Sequence, residues 1–139
     1  MAQLNGSEIL AKALKREGVD EMFFLMGGPM LAAEAATIKE GIRCIDVRHE
    51  QAAAFMAQAY SRLQQRPGVC MAASGPATIN LTTGLANALI DCCPVVALGG
   101  ASPVLGYGKQ VFQEIDQMDI MSGCVKYAAR VYDARRIPE

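Results

Sequence analysis

Short, almost wholly apolar runs alternate along the chain with longer stretches in which apolar positions recur at helical spacing. Leu10, Ala13 and Leu14 mark a first helix, for which Ser7 is the expected cap and Gly18 the left-handed stop. Residues 19–25 read as a strand, Gly27-Gly28-Pro29 breaks it, and a helix is predicted over 30–39, closed by Gly41. A second strand over 42–47 leads into a helix over 50–64. Ala53, Met56, Tyr60 and Leu63 are assigned to the inner face of that helix, and Gln51, Gln58 and Arg62 to the outer. Arg66-Pro67-Gly68 turns the chain into a strand over 69–73, and Ser74-Gly75-Pro76 opens a helix reaching about residue 91. A short strand over 94–98, a glycine-containing loop over 99–109, a partly helical stretch over 110–121 and a last strand over 126–132 complete the pattern.

Strands that are apolar throughout belong in a sheet covered on both sides, because a half-exposed antiparallel strand would alternate polar and apolar residues. The expected class is therefore α/β, doubly wound, with a mainly parallel sheet and helices on both faces. A length of 139 residues with 52% hydrophobic content suits one domain with a sizeable core. Thirteen basic residues against 14 acidic ones give a net charge of −1 with no basic run, which argues against nucleic acid or an anionic membrane as partner. The apolar stretches are short and the N-terminus has no basic flank, so the chain reads as cytoplasmic. Five cysteines without a C-x-x-C pair, and a single histidine, point to buried free thiols in place of disulfides or a zinc site.

In open parallel sheets the ligand lies outside the carboxyl ends of the strands. Four marked loops fall on that edge: Met26-Gly27-Gly28-Pro29, Arg48-His49-Glu50, Ser74-Gly75-Pro76 and Gly99-Gly100-Ala101-Ser102. Each has a plainer reading. The glycines serve ordinary turns, Ser74-Gly75-Pro76 starts a helix, Glu50 offsets the helix dipole, and His49 caps a helix end. No G-x-G-x-x-G follows the first strand, so dinucleotide binding is not supported.

The run Asp46-Val47-Arg48-His49-Glu50-Gln51-Ala52-Ala53-Ala54, followed by Pro67-Gly68-Val69-Cys70 and by Ser74-Gly75-Pro76-Ala77-Thr78-Ile79-Asn80-Leu81, resembles the pyrimidine-binding domain of thiamine diphosphate enzymes of the acetolactate synthase type. Val111-Phe112-Gln113-Glu114-Ile115-Asp116 is similar to the Phe-Gln-Glu segment that lines the same site in that family. The resemblance covers nearly the whole chain. It implies that Glu50 hydrogen-bonds a pyrimidine nitrogen of thiamine diphosphate and favours the tautomer that removes the thiazolium carbon proton. It also implies that Met26, Gly27 and Gly28 approach the cofactor, that Ser74, Gly75, Pro76 and Asn80 wall it, and that Pro29, Phe112 and Gln113 face the substrate.

Two positions depart from the family: Met26 stands where many relatives have proline, and Ala77 where a second glycine is usual. The family holds Mg2+ and the diphosphate through a Gly-Asp-Gly motif on a separate domain, and this sequence has none. The resemblance thus implies that the metal site lies on a partner domain or subunit and that this chain alone is incomplete and inactive. It further implies that the domain stops before its last helix and strand, as a fragment or half of a split enzyme, and that the complete enzyme is a homodimer or homotetramer. The implied substrates are 2-keto acids. Leu98-Gly99-Gly100-Ala101-Ser102 is similar instead to oxalyl-CoA decarboxylase and 2-hydroxyacyl-CoA lyase, and a non-catalytic assembly domain of the same fold is the alternative of another class.

Overall fold

The computed structural model describes residues 4–139. Helix α1 (Gly6–Arg16) starts at Asn5, whose side chain accepts from the Glu8 amide while the Glu8 carboxylate accepts from the Asn5 amide. This reciprocal cap satisfies two otherwise orphaned donors and outcompetes the expected Ser7, which falls inside the first turn. Gly18, at φ +80°, follows the helix as anticipated.

Strands β1 (Glu21–Phe24), β2 (Arg43–Asp46), β3 (Gly68–Ser74) and β4 (Val95–Gly100) form an all-parallel sheet in the order β2-β1-β3-β4. Every residue of β3 is buried. Successive side chains point to opposite faces, and this divides the core in two. Met22, Phe24, Val69 and Met71 pack with Leu10 and Leu14 of α1 and Ala33 of α2 (Leu31–Lys39). Phe23, Cys70 and Ala72 pack with Ala53 and Ala57 of α3 (Glu50–Gln64) and Leu85 of α5 (Thr82–Ile90). Helices therefore cover both faces, as a doubly wound sheet requires.

Helix α3 has the predicted limits and Ala53 and Tyr60 face the core as expected, but the rest of its buried face is turned. Glu50, Ala53, Ala54, Ala57, Gln58 and Ser61 are buried, whereas Met56 is 37% and Leu63 80% exposed. The cause is close approach. A Cβ on Gly68 would lie 2.0 Å from the Ala57 carbonyl oxygen, and one on Gly84 2.5 Å from the Ala54 Cβ. Only small residues fit along that seam, so the large apolar side chains are displaced outward. Gln58 is buried because its amide donates to Asp91 and accepts from Asn87.

The helix expected to run from Pro76 to about residue 91 is two helices, α4 (Pro76–Ile79) and α5. Between them the Leu81 amide donates to the Thr78 carbonyl, a three-residue step that tightens the turn at Asn80. Ala77 lies inside α4 and packs on the core, in a conformation alanine adopts freely.

Residues 126–132 do not form the expected strand. Val125 and Ala128 contact the core at a three-residue step, not the two-residue step of a pleat, and Tyr127 is 82% exposed. A cavity of about 460 Å³, lined by Leu81, Leu85, Val95, Ala97, Met121 and Val125, separates this segment from β4. The cysteines also differ in part from expectation: Cys70 is buried, Cys44, Cys93 and Cys124 are half-buried, and Cys92 is exposed.

Candidate functional site

The chain leaves β1 for β2 on one side, and β3 lies on the other side of β1, so the topological switch point falls between the carboxyl ends of β1 and β3. In sheets of this kind such a switch point is where a ligand has access to backbone and helix starts. The sequence places Met26-Gly27-Gly28-Pro29 after β1, Glu50 after β2, Ser74 at the end of β3 with Gly75-Pro76 after it, and Phe112-Gln113 beyond β4.

Glu50 is the first residue of α3. His49 caps the helix, its Nδ1 accepting from the Gln51 amide at 3.2 Å, so the lone histidine is occupied by the backbone. The Glu50 side chain is only 7% exposed. Its Oε2 accepts from Asn80 Nδ2 at 2.9 Å, and this is the one hydrogen bond to the carboxylate among the described residues. Oε1 therefore retains acceptor capacity at the positive end of the α3 dipole, where a carboxylate is stabilised. A nearly buried carboxylate with one oxygen fixed and one left over suits a ligand that presents a hydrogen-bond donor.

The loops close around each other. Gly27 lies on Ala73, where a Cβ would come within 2.4 Å of the alanine methyl. The turn Gly28–Met30 is 3-10, with Pro29 at its start, and Met26 is 59% exposed. Gly75 adopts φ +60°, and a Cβ there would sit 2.2 Å from the Gln113 carbonyl oxygen. Ser74 Oγ donates to Gln113 Oε1 at 3.0 Å. Gln113 itself has φ +58°, held by the loop that Glu114 ties down by accepting from the Gly108 and Val111 amides. Those backbone donors, Gly108 first, keep the Glu114 carboxyl below its ordinary range. Phe112 stands apart from this packing, 82% exposed at the rim.

Gln117, at the start of α6 (Gln117–Ser122), was not singled out by sequence reasoning. Its Oε1 accepts from the Gly75 amide at 2.5 Å and its Nε2 donates to the Gly100 carbonyl at 2.9 Å. No spacing in the sequence marks it, since Gln113 at φ +58° lies outside the helix that Gln117 begins. Among the described residues no three His, Cys, Asp or Glu side chains gather as a metal-binding group. No described helix is long and apolar enough to cross a membrane.

A doubly wound parallel domain with a buried carboxylate beside glycine-lined loops at its switch point is a cofactor-site architecture. Residues 4–120 match the family described as thiamine pyrophosphate enzyme, N-terminal TPP binding domain, and the chain belongs to that family. It is 39% identical over 134 residues to acetolactate synthase, chloroplastic, of Arabidopsis thaliana, covering 96% of this chain and 20% of that protein. It is 37% identical over 135 residues to the acetolactate synthase isozyme 2 large subunit of Escherichia coli (strain K12), covering 97% of this chain and 25% of that protein. With 2-hydroxyacyl-CoA lyase 2 of Caenorhabditis elegans it shares 40% identity over 133 residues, covering 96% of this chain and 21% of the relative. The chain thus spans between a fifth and a quarter of the length of these relatives.

Proposed function

We propose that this chain is the pyrimidine-binding, cofactor-activating domain of a thiamine diphosphate-dependent enzyme that makes or breaks carbon–carbon bonds next to the carbonyl of 2-keto acids. When bound, thiamine diphosphate supplies the carbon nucleophile and the electron sink for such chemistry. The observation that carries the reading is Glu50: nearly buried, with Oε2 fixed by Asn80 and Oε1 available. In this role Oε1 shares a proton with a ring nitrogen of the cofactor's pyrimidine, and Asn80 keeps the carboxylate aimed. Met26, Gly27 and Gly28 form one wall of the pocket and Ser74, Gly75 and Pro76 the other. Pro29, Phe112 and Gln113 face the substrate side.

Mg2+ and the diphosphate are assigned to a partner domain or subunit, since the sequence carries no Gly-Asp-Gly. In that arrangement the working enzyme is a homodimer or homotetramer, and this chain contributes the activating carboxylate. A second reading, an enzyme acting on 2-hydroxyacyl-CoA substrates, draws support from Leu98-Gly99-Gly100-Ala101-Ser102 and from the similarity to the nematode lyase. Turnover of pyruvate against a 2-hydroxyacyl-CoA by the complete enzyme separates the two. Glu50→Gln in that enzyme should slow exchange of the thiazolium carbon proton by about a hundredfold or more, the usual scale of a positioned acid–base group. An unchanged exchange rate would refute the role.

A further inference from the structure

We propose that Gln117 is a positioning residue whose side-chain amide stands in for a rung of sheet at the rim and so holds Asn80 against Glu50. The proposal rests on the reading of Glu50 given above. The β3–β4 ladder has its last pair at Ser74 and Gly100. One step beyond, the Gln117 amide accepts from the Gly75 N–H and donates to the Gly100 carbonyl, the two bonds that a peptide unit of an inserted strand would make.

The tie reaches the carboxylate through a short set of rigid parts. Gly75 is the N-terminal cap of α4: the Ile79 amide donates to the Gly75 carbonyl and the Asn80 amide to the Pro76 carbonyl, each at 3.0 Å. With four residues, α4 is too short to keep a direction of its own. Gly75 at its entry, with Ala77 in the core and Thr78 Oγ1 donating to the Ala73 carbonyl, sets where α4 points, and with it the Asn80 side chain that donates to Glu50. Gln113 cannot substitute for Gln117 while its own Oε1 accepts from Ser74.

Two variants of the complete enzyme test this. Gln117→Met keeps the length and loses both bonds; Gln117→Glu keeps an oxygen for the Gly75 amide and sets the other against the Gly100 carbonyl. Hydrogen exchange at the Gly75 amide reports the tie, and exchange of the thiazolium carbon proton at saturating thiamine diphosphate reports the aim of Glu50. Gln117→Met should raise the first and lower the second by about tenfold each, with a smaller change in the cofactor concentration at half-saturation. Gln117→Glu should restore Gly75 protection and part of the proton-exchange rate. The proposal is overturned if Gly75 remains protected in Gln117→Met, or if protection is lost and proton exchange stays the same. Failure of the Glu50 assignment is read separately, from Glu50→Gln, and leaves the Gly75 measurement able to decide whether the tie exists.

Discussion

Asn80 Nδ2 lies 2.9 Å from Glu50 Oε2, so a single hydrogen bond joins the turn after α4 to the first residue of α3. Asn80→Ala should remove the one described donor to a nearly buried carboxylate. A lost bond to a charged group costs about 1.5–3 kcal/mol, which urea unfolding at neutral pH will register as a lower midpoint at constant slope. An unchanged midpoint would mean that water replaces the amide without penalty.

Cys92 carries φ +53° directly after α5, where the Cys92 amide donates to the Leu89 carbonyl and the Cys93 amide to the Ala88 carbonyl. This is the helix-ending motif that glycine normally serves, occupied by a residue with a Cβ. Cys92→Gly should raise stability by about 1 kcal/mol through relief of the left-handed conformation. Thermal melts of the two proteins under reducing conditions decide it, and a lower Tm for the glycine variant contradicts the account.

Burial, and secondarily the Asp46 carboxylate, pushes the Glu34 carboxyl above its ordinary range, and its Oε2 has no hydrogen-bond partner. The folded state consequently holds this proton more tightly than the unfolded chain does. The stability Glu34 contributes is present while the group is protonated, below its unfolded pKa, and declines as pH rises toward the raised folded value. Glu34→Gln should therefore raise Tm by a few degrees at neutral pH and by less near pH ~4, the ordinary carboxylate range. Equal shifts at both pH values would exclude a titrating origin.

The architecture was legible because β3 and β4 carry no charged residue, β1 and β2 have apolar centres, and the breaks fall at glycine and proline. The loops after β1, β2 and β3 and the limits of α3 followed from that pattern alone, whereas Gly99 and Gly100, expected in the fourth loop, extend β4 by pairing with Ala72 and Ser74. The orientation of α3 did not. Periodicity assigns the largest apolar residues inward, but Gly68 and Gly84 press on Ala57 and Ala54, and that constraint comes from segments distant in sequence. Residues 126–132 carry a strand's composition, yet pairing depends on a neighbouring backbone, and here the spacing of core contacts is wrong for a pleat. Within the site, Glu50 could be found from its place at a helix start. Gln117 could not, because a side chain that bonds only backbone groups leaves no mark in the sequence pattern.

The Ala54–Gly84 and Ala57–Gly68 contacts place the backbone of α3 almost directly on its neighbours. A helix seated that way behaves as a machined mount: its height above the sheet is set by main-chain atoms and does not depend on how larger side chains repack. The fixture is separate from the tooling. Met26 and Phe112 are exposed and lie outside those contacts, so exchanges there leave the carboxylate at the head of α3 at its station. A scaffold of this kind lets the surrounding loops change in sequence without relocating Glu50.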